Sequence, residues 1–198
     1  MNFLRKILFA GLLTGAAVSL AAPYKLDGAH LEVGFQVTHM MISKVKGRFA
    51  KVEGAFDFDD KKNELKAVDV KIDASSITTD NQKRDDHLRS PDFFDVKKYP
   101  TITFKSEKVE MKDGKPAKVL GTLTMHGISK AVSLDVELKG IMPMDGIPHI
   151  GFSATGKINR QDFGVKFNKA LDKGGVAVSD EVTIIIDGEA IQEGPVKK

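Results

Sequence analysis

Five histidines, at positions 30, 39, 87, 126 and 149, have the widest chemical reach in this chain, because imidazole both ligates metals and moves protons. Their spacing supports neither role. His-x-x-Glu-His, His-Glu-x-x-His and His-x-His arrangements are all missing, so no short segment presents two ligands on one face, and no metal site is expected. Asp85-Asp86-His87 is the most suggestive run. Asp85 stands four residues before Arg89, however, and an ion pair along a solvated helix accounts for those charges without catalysis. Gly-x-Ser-x-Gly is absent, and Ser43, Ser90 and Ser106 lack a neighbourhood that would activate a hydroxyl. Gly174-Gly175 lacks the Lys-Ser/Thr pair of a phosphate loop, and Met142 with Met144 reads as loop packing rather than as a soft-metal site. With no cysteine in the chain, thiol chemistry and disulfides are excluded as well. No catalytic residue and no cofactor are assigned.

Charge narrows the partners further. The 30 basic and 27 acidic residues are interleaved, whereas nucleic-acid binding needs clustered Lys and Arg, so no nucleic acid is expected. Arg5 and Lys6 precede an apolar run from Ile7 that ends in Ser19-Leu20-Ala21, the pattern of an export signal cleaved after Ala21. At 16 residues through Ala22, with Gly11, Thr14, Gly15 and Ser19 inside it, the run falls short of the roughly 20 that a bilayer span requires. Residues 1–21 are therefore expected to be removed, leaving 22–198 as one exported domain that is not embedded in a membrane. Its roughly 175 residues suffice for one hydrophobic core.

The elements that carry this chemistry-poor chain show a period of two. Leu31, Val33, Phe35 and Val37 share one face, and Val45, Gly47 and Phe49 continue in odd register. Val52, Gly54, Phe56 and Phe58 are even, which calls for a β-bulge near Ala50 and Lys51. Val68, Val70 and Ile72, then Ile102 and Phe104, form further faces before a second change of phase at Val109 and Met111. Val119, Leu123 and Met125 lead into His126-Gly127, and Val132, Leu134, Val136 and Leu138 return as the clearest hairpin. Gly140 to Gly151 reads as a loop, Phe152, Ala154 and Ile158 as a strand, Phe163, Val165 and Phe167 as a short strand, and Val182, Ile184 and Ile186 as the last. The tail Gly194-Pro195-Val196-Lys197-Lys198 is expected to fray.

One segment breaks the alternation. Residues 84–104 open with a short helix near 80–90, capped by Thr79 or Asp80 and ended by Pro91 after about three turns. Leu88, Phe93 and Phe94 supply an apolar plug. Roughly eight antiparallel strands with one inserted helix make an all-β chain, for which closure into a barrel removes exposed edges. Gly47, Gly54, Gly121, Ala154 and Gly156 share register with the apolar faces. They either leave room for a ligand or allow the strands to bend.

Several blocks, in order, resemble the YceI-like family of periplasmic, lipocalin-like barrels that hold polyisoprenoid chains. Tyr24, Leu26, Asp27 and His30 with Val33, Phe35, Val37 and His39 resemble its first strands, and Gly47, Phe49 and Gly54 its next. Ile72, Ser75, Ile77 and Thr79 lead into Arg84, Asp85, His87 and Leu88, followed by Asp92, Phe93, Phe94, Tyr99, Pro100 and Phe104. Gly121 to Gly127 with Lys130 and Val132, then Asn159 to Gly164, resemble its later signatures. Leu31 and the segment Ile141 to Ile150 depart from the pattern.

The resemblance implies non-catalytic binding of an isoprenoid or other long-chain lipid, in the periplasm. An apolar tunnel would be lined by Phe35, Phe49, Phe56, Phe104, Leu123, Val136, Phe152 and Ile184 and closed by Leu88, Phe93 and Phe94. Arg84 and His87, on one helix face, are the candidates for a polar head group. The rivals are an isoprenoid-modifying enzyme, which needs a polar cluster inside the barrel, and an interaction domain with a filled core. The family also implies a homodimer, for which Ile185 and Ile191 lie out of phase with the inward face of the last strand.

Overall fold

Alternation builds the whole architecture. A computed structural model describes residues 21–172 and 174–194, so the expected signal, but for Ala21, and the expected frayed tail, but for Gly194, lie outside the described residues. Ten strands follow in chain order: β1 (Ala22–His39), β2 (Ser43–Phe49), β3 (Val52–Asp59), β4 (Glu64–Asp73), β5 (Ile77–Thr78), β6 (Thr101–Lys112), β7 (Lys115–Met125), β8 (Ile128–Met144), β9 (Ile147–Asn159) and β10 (Val178–Gln192). One α-helix, α1 (Gln82–Arg89), stands between β5 and β6.

The sheet runs β10-β9-β8-β7-β6-β4-β3-β1, and β1 pairs back onto β10, which closes eight antiparallel strands into a barrel. Closure gives every barrel strand two neighbours. β2 continues the β3 ribbon along the second half of β1, from Val33↔Phe49 to His39↔Ser43, and short β5 pairs with its end. Register places inward side chains opposite one another: Phe35 faces Ile184, Phe104 faces Leu123, and Val136 faces Ala154.

Three tight hairpins rest on residues with positive φ. Asp113-Gly114, His126-Gly127 and Asp145-Gly146 all lie near φ 50–80°, the left-handed pair that matches the twist of two flanking strands. The third corrects the expected loop at Gly140 to Gly151. β8 and β9 run on to this turn, and Pro143 pairs with Pro148 in a ribbon that projects beyond the neighbouring strands, where neither missing N–H leaves a ladder unpaired.

Other expectations shift for equally local reasons. The phase change at Ala50 and Lys51 is a break between β2 and β3, because Ala50 N donates to Ser76 O and Lys51 N to Ser76 Oγ instead of joining a ladder. The second phase change is present as register shifts at Ser106/Lys108 and Glu110/Met111. Phe163 to Phe167 forms no strand. A 3-10 turn (Arg160–Phe163) precedes extended chain whose carbonyls at Val165 and Phe167 accept hydrogen bonds from the Arg160 guanidinium.

Helix α1 has eight residues, about two turns, and its cap is Asn81, whose side chain accepts from Arg84 N, rather than Thr79 or Asp80. Ser90, before Pro91, is extended as expected. Asp85 does not pair with Arg89 on a solvated face. It is buried and accepts from Thr79 N at 2.8 Å, Thr79 Oγ1 at 2.5 Å and Thr78 Oγ1 at 3.2 Å. Arg89 instead reaches Asp86 and the carbonyls of Ser75 and Ile77.

Burial opposes the charge on Asp85, but the hydrogen bonds from Thr79 and Thr78 outweigh it and hold the carboxyl below its usual range. That contribution is in place above the ordinary carboxylate range and is lost as pH falls through the depressed value. Asp85→Ala leaves Thr79 N–H without its acceptor and should cost about 1–3 kcal/mol in urea unfolding, with less acid sensitivity than the parent.

Candidate functional site

Inward faces of the strands enclose one apolar cavity of about 240 Å³. Phe35, Phe49, Phe56, Phe104, Leu123, Val136, Phe152 and Ile184 all line it, and so do Leu88, Phe93 and Phe94 from α1 and the turn after it. Register adds others to the lining, among them Leu138, Ala154 and Ile158, which the sequence places on apolar strand faces but does not single out as ligand contacts. Rings interlock along the wall: Phe35 lies 6.0 Å from Phe49, Phe49 is edge-on to Phe94 at 5.8 Å, and Phe56 edge-on to Phe152 at 5.8 Å.

The two ends differ. Tyr24, Phe58 and Ile150, all essentially inaccessible, form a floor, with Tyr24 stacked on Phe56 at 5.7 Å and edge-on to Phe58 at 6.2 Å. Tyr24 OH donates to Asp60 at 2.8 Å, and burial together with that acceptor pushes its phenol well above the usual range. At the opposite end Ser43 to Gly47 pairs with β1 alone, and α1 with the following turn covers the opening. We call this end the mouth.

The glycines in phase with the cavity do not open it. A methyl group on Gly47 would lie 2.4 Å from the Phe35 ring, one on Gly121 2.3 Å from Lys105 O and 2.7 Å from Phe104, and one on Gly156 2.6 Å from Leu134. Each glycine admits a neighbouring backbone or a large side chain that would otherwise clash.

Among the described residues Arg160 is the one charged residue that lines the cavity, a position that sequence reasoning did not assign to it. Its five donors are all used: Nε to Ser179 O, Nη1 to Val165 O and Phe167 O, Nη2 to Val178 O and Asp180 Oδ1. Burial works against its charge and Asp180 works for it. Arg160 thus clamps the chain between β9 and β10 and has no donor left for a ligand. Arg84 and His87, the head-group candidates, are exposed and do not line the cavity. Arg84 donates to Thr79 Oγ1 and O, while His87 Nε2 donates to Asp92 Oδ2 at 2.8 Å and the His87 ring lies edge-on to Phe93 and Phe167.

Away from the cavity, folding gathers groups that are distant in sequence. Asp27, His30 and Glu189 hold potential ligand atoms within 4.8 Å of one another, and His149 Nδ1 lies 3.8 Å from Glu189. The extra residues of β1 between Leu26 and Leu31 bulge out to make this group. Hydrogen bonding already accounts for two of its members: His30 Nδ1 meets Asp27 Oδ2 at 2.7 Å, and Ala29 N donates to Asp27 Oδ1.

Three comparisons with known proteins bear on the site. Residues 24–190 match the family model described as YceI-like domain. The protein YceI of Escherichia coli O157:H7 is 39% identical over 189 residues, covering 93% of this chain and 95% of the relative. A crystal structure of a Campylobacter jejuni YceI protein is 42% identical with a TM-score of 0.71, covering 86% and 98% of the two chains. A polyisoprenoid binding domain from Saccharophagus degradans shares the fold at 16% identity and a TM-score of 0.61, covering 87% and 99%.

Two outcomes follow from this geometry. Gly121→Ala should lower stability by about 1–3 kcal/mol in denaturant unfolding, because backbone rather than a flexible side chain meets the new methyl. The hydrogen bond and charge of Asp27 raise the His30 pKa above its ordinary value, while the same bond holds Asp27 below the usual carboxylate range. The pair is therefore favoured between the two titrations, and is lost as pH rises through the His30 value or falls through that of Asp27. In an NMR titration the His30 midpoint should fall towards the ordinary histidine value in Asp27→Asn.

Proposed function

The chain belongs to the YceI-like family, and on that premise we propose that it binds and carries an isoprenoid or similar amphipathic lipid, with no reaction of its own. The observation that carries this reading is the cavity lining. Among the described residues, Arg160, whose donors are all occupied, and Ser153 are the only ones on it with O- or N-bearing side chains. Among the described residues no His, Asp, Glu, Lys or Tyr lines the cavity, so an isoprenoid-modifying enzyme would have no general base there to activate the Ser153 hydroxyl. A filled interaction domain is the poorer fit to an open volume of about 240 Å³.

Volume also limits the ligand. A water-sized share of liquid is roughly 30 Å³, similar to a methylene, so the cavity takes a chain of about eight carbons as it stands. At about 0.8 kcal/mol per methylene this contributes some 6 kcal/mol gross, short of the roughly 8 kcal/mol of a micromolar complex before ordering costs. A longer tail must part Leu88, Phe93 and Phe94 or protrude from the mouth. The ligand chain would lie against Phe35, Phe49, Phe56, Phe104, Leu123, Val136, Phe152 and Ile184, with its polar head outside.

The same reading makes residues 1–21 an export signal and the periplasm the site of action of residues 22–198. It also includes a homodimer through the outer face of β10, where Ile185 and Ile191 are half-buried; light scattering of the mature chain should give twice the monomer mass.

Mass spectrometry of an organic extract from protein purified out of its native envelope tests the function directly and should return an isoprenoid or related lipid. Ala154→Phe, which places a ring in the cavity, should weaken uptake of a fluorescent polyene about tenfold or more while changing stability by less than about 3 kcal/mol. An empty extract together with unchanged uptake would overturn the proposal.

A further inference from the structure

We propose that the mouth of the barrel docks on an anionic bilayer surface through the turn Met40-Met41-Ile42 and the loop between β9 and β10. This inference rests on the lipid-carrying function proposed above and adds where the lipid is exchanged.

The turn presents its apolar side chains outward. Met40, Met41 and Ile42 are 41%, 59% and 88% exposed, and no polar residue interrupts them. Met40 and Met41 both take positive φ, 50° and 63°, where Gly or Asn is the ordinary choice, so bulky apolar residues occupy a position that favours small or polar ones. The turn is also anchored: Met40 N donates to Ala177 O at 2.8 Å, which joins it to the β9–β10 loop in one rim.

Apolar surface continues from that rim into the cavity. Phe167, 36% exposed on the same loop, lies 4.9 Å from Phe93, which lines the cavity behind it. Arg160 holds Phe167 in place through its carbonyl. The far end offers no such path, since Tyr24, Phe58 and Ile150 close it.

Charge selects the partner. Lys44, Lys46 and Arg48 point outward from β2 beside the turn, and Lys166 and Lys169 are exposed on the loop. Opposing them are Asp80, which meets Arg48 at 3.4 Å in an exposed pair, and exposed Asp162 and Asp172, leaving an excess of positive charge. Each basic residue near an anionic leaflet strengthens attachment about fivefold. Lysines on an open strand edge also deter pairing with another sheet. That accounts for Lys44 and Lys46, but not for Lys166, Lys169 or the exposed turn. A second apolar tip, with Ile141, Met142, Met144 and Ile147 exposed, stands at the floor end beside Asp145, and its own ribbon, residues 140–148, contains no Lys or Arg. It serves as the internal control.

The test uses the mature chain and vesicles of phosphatidylcholine with about one third phosphatidylglycerol, read by co-sedimentation at low and at moderate salt. Binding should require phosphatidylglycerol, weaken with salt, and fall about tenfold or more in Met41→Ser/Ile42→Asp and in Lys44→Glu/Lys46→Glu. Met142→Ser/Met144→Ser should bind as the parent does. The exposed positions make misfolding avoidable, and thermal unfolding of each variant checks it. Absence of vesicle binding by the parent, or equal loss in the Met142/Met144 variant, would overturn the proposal. So would a dimer that dissociates in the Met41/Ile42 variant, since the turn would then face a second copy. Uptake of a fluorescent polyene in solution, measured alongside, fails only if the carrier function itself is wrong.

Discussion

Pairing of β1 with β10 is the constraint on which the remaining structure depends. Without that ladder the sheet would be open, its two terminal strands would expose unpaired backbone, and its concave face would admit water. Closure brings Phe35 opposite Ile184 and Val33 opposite Ile186, so apolar side chains from the two ends of the chain meet across one interior. The cost falls on folding kinetics: residues as far apart as Tyr24 and Gln192 must find register before the interior becomes dry, and such non-local pairing is slow.

A closed ring does not fill itself evenly. Near the floor, Tyr24, Phe56 and Phe58 pack ring against ring, and Asp60 satisfies the one polar atom that Tyr24 brings. Towards the mouth, two buried charges organise the covering segments instead. Asp85 ties the segment before α1 to the helix through Thr78 and Thr79, and Arg160 ties the β9–β10 connection through four carbonyls and Asp180. Charged groups at this depth are tolerated because every donor or acceptor has a partner. Such networks hold short loops without a hydrophobic core of their own, leaving the volume beneath them free.

Packing also sets the character of the interior. Among the described residues it is walled almost entirely by aliphatic and aromatic groups, surfaces that favour contact with hydrocarbon over water. Polar chemistry is moved to the outside, to the Asp27, His30 and Glu189 group and to the charged outer faces of the strands. Loops on such a scaffold are where ligand choice varies, and the loops at the mouth here carry an exposed apolar turn, Met40 to Ile42, and the connection that Arg160 clamps.

Much of the fold was legible in the sequence because its signals are local. Period-two alternation assigned the inward faces of β1, β4, β7, β8 and β10, and all eleven apolar residues chosen from it and from the family resemblance line the cavity. His126-Gly127 announced its hairpin, and Asp145-Gly146 carried the same signal beneath the prolines that disguised it. Register between distant strands is another matter. Only the folded barrel decides that Phe35, Phe104 and Leu134 occupy the space above Gly47, Gly121 and Gly156, that Arg160 spends all its donors on one loop, and that Asp85 is buried rather than paired with Arg89. A sequence pattern shows which side of a strand is apolar, whereas the volume left inside depends on which side chains from remote strands meet there.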